Sequence, residues 1–137
     1  MKAVQKITEH LISFDTAKLA KKYHVDLESY DFYTHRGDMC HSEKFENQSI
    51  YYGSYGAYTQ SLLQKWFREV HDIHVIISPP HFEANGDISY NHFLYSRSEE
   101  ETGKNIYVAD FSMYGRKGTY EDSLEEGLQE AFKYIKS

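Results

Sequence analysis

Cysteine and proline are almost missing from this chain. Its 137 residues hold one cysteine, Cys40, so no intramolecular disulfide framework can form, and a reducing compartment is expected. The two prolines are adjacent, Pro79 and Pro80, and no proline-rich linker divides the sequence. No apolar run approaches the ~20 residues that a membrane-spanning helix needs. The opening MKAVQKITEHLISFD has no apolar stretch of signal-peptide length. These absences lead to the expectation of a cytoplasmic protein with no membrane partner. Positive charge is short as well: 15 Lys and Arg against 21 Asp and Glu leave a net charge of −6. Binding to nucleic acid is driven by cationic side chains that displace phosphate counterions, so this balance disfavours a nucleic-acid partner. The sequence has no GxSxG serine elbow, no HExxH zinc motif, no phosphate-cradling glycine loop and no dinucleotide fingerprint, and no cofactor is expected.

Aromatic residues are abundant: 13 tyrosines bring the aromatic share to 16%. Tyrosine suits half-buried strands and also interfaces, where a rigid apolar ring carries a polar tip. The length suits one domain, residues 1–137, with a core of useful size. Ser13 and Asp15 are both good N-cap types before a short helix at about Thr16–Tyr23. Ser29–Thr34 alternates as a strand, whereas Arg36–Asn47 is polar and aperiodic and reads as a loop. Ser49–Tyr58, with Gly53 and Gly56, reads as an ordered aromatic loop.

Thr59 then caps a helix whose stripe is Leu62, Leu63, Trp66, Phe67 and Val70, ending at His71 and Asp72. The β-branched run Ile73–Ser78 reads as a core strand stopped by the proline pair. With Ile88–Ser96 and Ile106–Met113 it makes an antiparallel meander, the second strand following a turn at Asn85–Asp87 and the third leading to one at Tyr114–Gly118. Thr119 caps the last helix, Tyr120–Ile135, which buries Leu124, Leu128, Ala131, Phe132 and Ile135. Gly127 sits inside it at a cost of about 1 kcal/mol relative to Ala, and close packing against the sheet or another helix is the compensation expected. The fold class is therefore α+β: an antiparallel sheet of three to five strands with two or three helices mainly on one face.

Four groups of residues have the composition of a site. His35, Asp38, Cys40 and His41 are zinc-ligand types, but their spacing matches no paired ligand pattern, so no metal site is assigned. His71, His74 and Glu69 straddle a helix end, where a histidine is already favoured by the helix dipole. Cys40 has no local partner that would activate it as a nucleophile, so no catalytic residue is assigned. Tyr51, Tyr52, Tyr55 and Tyr58 precede a helix carrying Lys65 and Arg68, a hot-spot composition for protein binding that could also stack bases. The alternative is that these rings cover the core.

The blocks Ser13–Val25, Tyr52–Ile77 and Gly118–Ile135 resemble a group of small uncharacterised proteins from bacterial phages, prophages and mobile elements. The resemblance covers about half of the chain. It implies a capped central helix, a short antiparallel sheet and an acidic C-terminal helix, with no activity to carry over. One departure is Tyr58, where the group has proline before the threonine cap. The expected function is a non-enzymatic interaction protein acting in the host cytoplasm, through a protein partner or by self-association. The alternatives are a small hydrolase or nuclease-like enzyme using His and carboxylates, or a nucleic-acid-binding accessory protein.

Overall fold

The computed structural model describes residues 7–47, 53–99, 105–111 and 118–135. Tyr51, Tyr52 and most of the expected turn after the third meander strand lie outside them. The first helix, α1, spans Phe14–Lys22. It begins two residues before the expected start because Ser13, not Asp15, is the cap: its hydroxyl accepts from the Thr16 N–H at 3.3 Å. The helix ends by wrapping over itself. His24 N–H donates to the Lys21 carbonyl and Val25 N–H to that of Ala20, with His24 in the left-handed region at φ 62°.

Strand β1 (Glu28–Tyr33) follows, and then the first correction to the sequence reading. Arg36–Asn47 is not a loop throughout. The chain turns at Thr34–Asp38, with Gly37 at φ 90°, and returns as the nine-residue strand β2 (Met39–Asn47), antiparallel to β1. Among the described residues β2 is an edge strand held by backbone pairing to β1 alone, and its polar sequence carries no alternation that would announce it. The register slips between Ser29 and Asp31. The aromatic loop before Thr59 also contains a two-residue strand, β3 (Tyr55–Gly56), on the other side of β1. A Cβ on Gly56 would lie 2.5 Å from the Tyr58 ring, so glycine is what lets Tyr58 fold inward.

Helix α2 spans Gln60–His71, and the Thr59 hydroxyl accepts from the Leu62 N–H at 3.1 Å. Its buried line is Gln60, Leu63 and Phe67, with Leu62 and Trp66 half-buried. Val70, expected in the stripe, is 59% exposed, because the buried line drifts toward His71 by steps of four. Asp72 adopts φ 53° and turns the chain directly into β4 (Ile73–Ile77).

The expected meander is present in the order β4-β7-β8, with β7 spanning His92–Glu99 and β8 Asn105–Phe111. Val75 stands opposite Leu94 and Ile77 opposite His92. The strand expected at Ile88–Ser96 is divided, since Tyr90 and Asn91 interrupt it. Its first part, β6 (Ile88–Ser89), pairs with β5 (His81–Phe82) in a separate two-stranded hairpin beyond the prolines.

Helix α3 spans Tyr120–Ala131 and tightens into a 3₁₀ turn at Phe132–Tyr134. The helices α2 and α3 both pack on β4, and α3 also packs on β7 and on α1, so the meander's buried face is covered by helix. Gly127 is the point of closest approach: a Cβ there would lie 2.8 Å from Val75 Cγ1 and 3.1 Å from His92 Cβ. The core joins Leu63, Phe67, Val75, Leu94, Leu128 and Phe132. Phe132 is its aromatic hub, 4.7 Å from Phe67 and 5.3 Å from Tyr23 between ring centroids. The α+β architecture is thus as expected, with the strands among the described residues divided among three antiparallel groups. Among the described residues no helix is long and apolar enough to cross a membrane.

Candidate functional site

The tyrosine–cation group is spread over three environments. Tyr58 is 3% exposed and belongs to the core. Its hydroxyl donates to the Val25 carbonyl at 3.3 Å and accepts from Leu27 N–H at 3.4 Å, and burial pushes the phenol above its ordinary pKa. Tyr55 is half-buried against α1: its ring meets the Phe14 edge at 5.6 Å, and Lys21 Nζ lies 4.8 Å from its centroid. Lys65 and Arg68 are exposed on the outer side of α2. Trp66 is half-buried, edge-on to Phe67 at 5.1 Å and to His71 at 4.7 Å.

The histidine groups are likewise separated. In the β1–β2 hairpin His41 Nδ1 lies 2.9 Å from Asp31 Oδ1 across the strands, while His35 and Asp38 are exposed in the turn and Cys40 stands opposite Phe32. Burial lowers the His71 pKa, since the packed ring resists taking a charge. His74 instead pairs with Asp72 at 3.0 Å. Among the described residues, no three His, Cys, Asp or Glu side chains are grouped to hold a metal ion.

What the fold does assemble is a polar junction where three helices meet. Glu125 of α3 is its centre. One carboxylate oxygen accepts from Ser13 N–H and Ser13 Oγ, both at 3.0 Å, and from the Thr16 hydroxyl. The other accepts from Gln60 Nε2 at 2.9 Å, and the same amide donates to the Glu121 carbonyl. A carboxylate at the start of α1 meets the positive end of that helix dipole. Gln129 Nε2 donates to the Thr16 hydroxyl at 2.9 Å and extends the junction along α3. The charge on Glu125, after burial, helps push the Tyr33 phenol upward. Ser13 and Glu125 are 112 residues apart, so no local pattern announces this junction.

Next to it, α1 and α3 diverge around a cleft of about 330 Å³. Leu19 and Tyr23 line it from α1, Glu126, Gln129 and Glu130 from α3, and Phe132 and Lys133 from the following turn. Half-buried Tyr23 is stacked on the buried Phe132, with 25° between their ring planes, and supplies the aromatic surface of the cleft. Glu126 and Glu130 are four residues apart on one helix and so share a wall. Lys133 Nζ already sits 3.0 Å from Glu130 Oε1, and Lys22 Nζ lies 5.6 Å from the Tyr23 centroid. Carboxylates beside aromatic faces suit a cationic group. None of the described residues lining the cleft is a histidine, cysteine or serine. No family model, curated protein or solved structure matches the chain.

Proposed function

We propose that this protein is a small interaction module whose α1–α3 cleft receives a cationic side chain from a basic protein partner. The observation that carries the reading is the cleft itself, with two glutamates on one wall and the Tyr23 ring, backed by Phe132, beside them. The surrounding helix adds to the field: Tyr120–Ile135 holds Glu121, Asp122, Glu125, Glu126 and Glu130 against Lys133 alone. Its sequence resemblance to products of phages and mobile elements makes a host-cell protein the natural partner.

Capture from host lysate on immobilised wild-type protein tests this, run beside a Glu126→Gln/Glu130→Gln variant and over a salt series. The retained protein should be basic, should be lost by the double variant and should elute as salt rises, because the Debye length falls from about 10 Å at 0.1 M to about 3 Å at 1 M. Retention indifferent to both salt and the two glutamates would refute the reading. The alternative of a hydrolase or nuclease-like enzyme using histidine and carboxylates gains no support at this cleft, where none of the described lining residues is a histidine.

A further inference from the structure

The seam between α3 and the start of β7 contains buried polar atoms without a partner among the described residues. Ser123 is fully buried and His92 is 1% exposed. Neither Ser123 Oγ nor His92 Nδ1 has a hydrogen-bond partner among the described residues. The packing of α3 on β7 brings their segments together. Ser123 lies one turn before Gly127 on the sheet-facing side of α3, and the Cβ direction of Gly127 points at His92 Cβ and Cγ, 3.1 and 3.2 Å away. One turn earlier still, the Tyr120 ring is edge-on to Tyr90 at 6.2 Å. Residues 120, 123 and 127 thus ride along residues 90–92.

A neutral imidazole always carries one donor and one acceptor nitrogen, and a hydroxyl carries both functions. Buried groups of this kind are almost always satisfied, and where the protein does not supply the partner, a buried water bridging two to four polar atoms does. We propose that the α3–β7 seam is an internal hydration site, in which one water molecule bridges Ser123 Oγ and His92 Nδ1. The water is then a structural part of the helix–sheet joint. It explains why a serine and a histidine occupy positions whose neighbours, Leu124, Leu128 and Leu94, are apolar.

The sign of a stability change separates this from a seam that is simply unsatisfied. Deleting an orphaned hydroxyl removes a penalty, whereas deleting one arm of a bridge leaves the water and His92 underserved. Ser123→Ala should therefore lower Tm, by roughly 2–6 °C for a chain of this size. Ser123→Ala/His92→Leu should lose less than the sum of the single changes, as coupled neighbours do. Water-¹⁷O relaxation dispersion on the wild type should count one more long-lived internal water than on Ser123→Ala, a comparison that stands even if the His92 variants do not fold. An unchanged or raised Tm in Ser123→Ala, or an unchanged count of long-lived waters, would overturn the proposal.

Discussion

His24 shows how a single residue can hold a conformation its chemistry does not favour. At φ 62° it occupies the position after the helix end where glycine is usual, because a Cβ is penalised in the left-handed region. Two backbone hydrogen bonds hold the turn, from His24 to Lys21 and from Val25 to Ala20, and they bring the buried Val25 back onto α1. The His24 side chain itself is exposed. His24→Gly should therefore stabilise the protein by about 0.5–1 kcal/mol, measured as a higher denaturant midpoint at unchanged slope. The gain is the relief of left-handed strain less the extra entropy that glycine carries in the unfolded chain. A loss of stability would mean that the imidazole contributes to the turn.

At the scale of elements, Gly127 decides how closely α3 meets the meander. Intrinsic propensity alone says that alanine there should help by about 1 kcal/mol. Packing says the opposite: the added carbon would lie 2.8 Å from Val75 Cγ1, in a buried layer that includes Leu128 and His92. Overpacking of this kind costs about 1–3 kcal/mol and should win. Gly127→Ala is expected to lower stability in equilibrium unfolding by about that amount less the propensity gain. The Glu125 junction works at the same scale. It ties the first turn of α1, the first residue of α2 and the middle of α3 through one carboxylate, and so fixes the angle at which α1 and α3 open into the cleft.

For the whole molecule, the parts legible in the sequence were those where local chemistry and tertiary packing agree. Thr59 and Thr119 cap their helices as their sequence positions imply, and Ile73–Ile77 is the core strand that its β-branched run announces. The meander order follows from strands adjacent in sequence. β2 was hidden because what holds it is backbone pairing with β1, and composition carries no record of that pairing. Tyr58 was misleading for a related reason: its place in the core depends on Gly56 making room and on the carbonyl of Val25, 33 residues away. The cleft was the least legible feature. Its acidic wall could be read as a charged helix face, but the aromatic partner Tyr23 comes from α1, at the other end of the chain.

The hairpin beyond the prolines makes the chain modular in a practical sense. Its base is fastened twice, by Ser78 N–H to the Asn91 carbonyl at 2.8 Å and by Asn91 N–H to Ser78 Oγ at 3.0 Å. Past that clasp the ribbon β5–β6 stands apart from the core, with Phe82 67% exposed and a tip turned by Gly86 at φ 90°. Foreign residues inserted between Asn85 and Gly86 should leave Tm within a few degrees of the parent, since loop lengthening costs only about 0.6 kcal/mol per doubling. A large drop in thermal scans would mean that the ribbon braces the meander. The protein thus offers a grafting port, where an epitope or a fluorophore can be displayed while the helices and their cleft remain as they are.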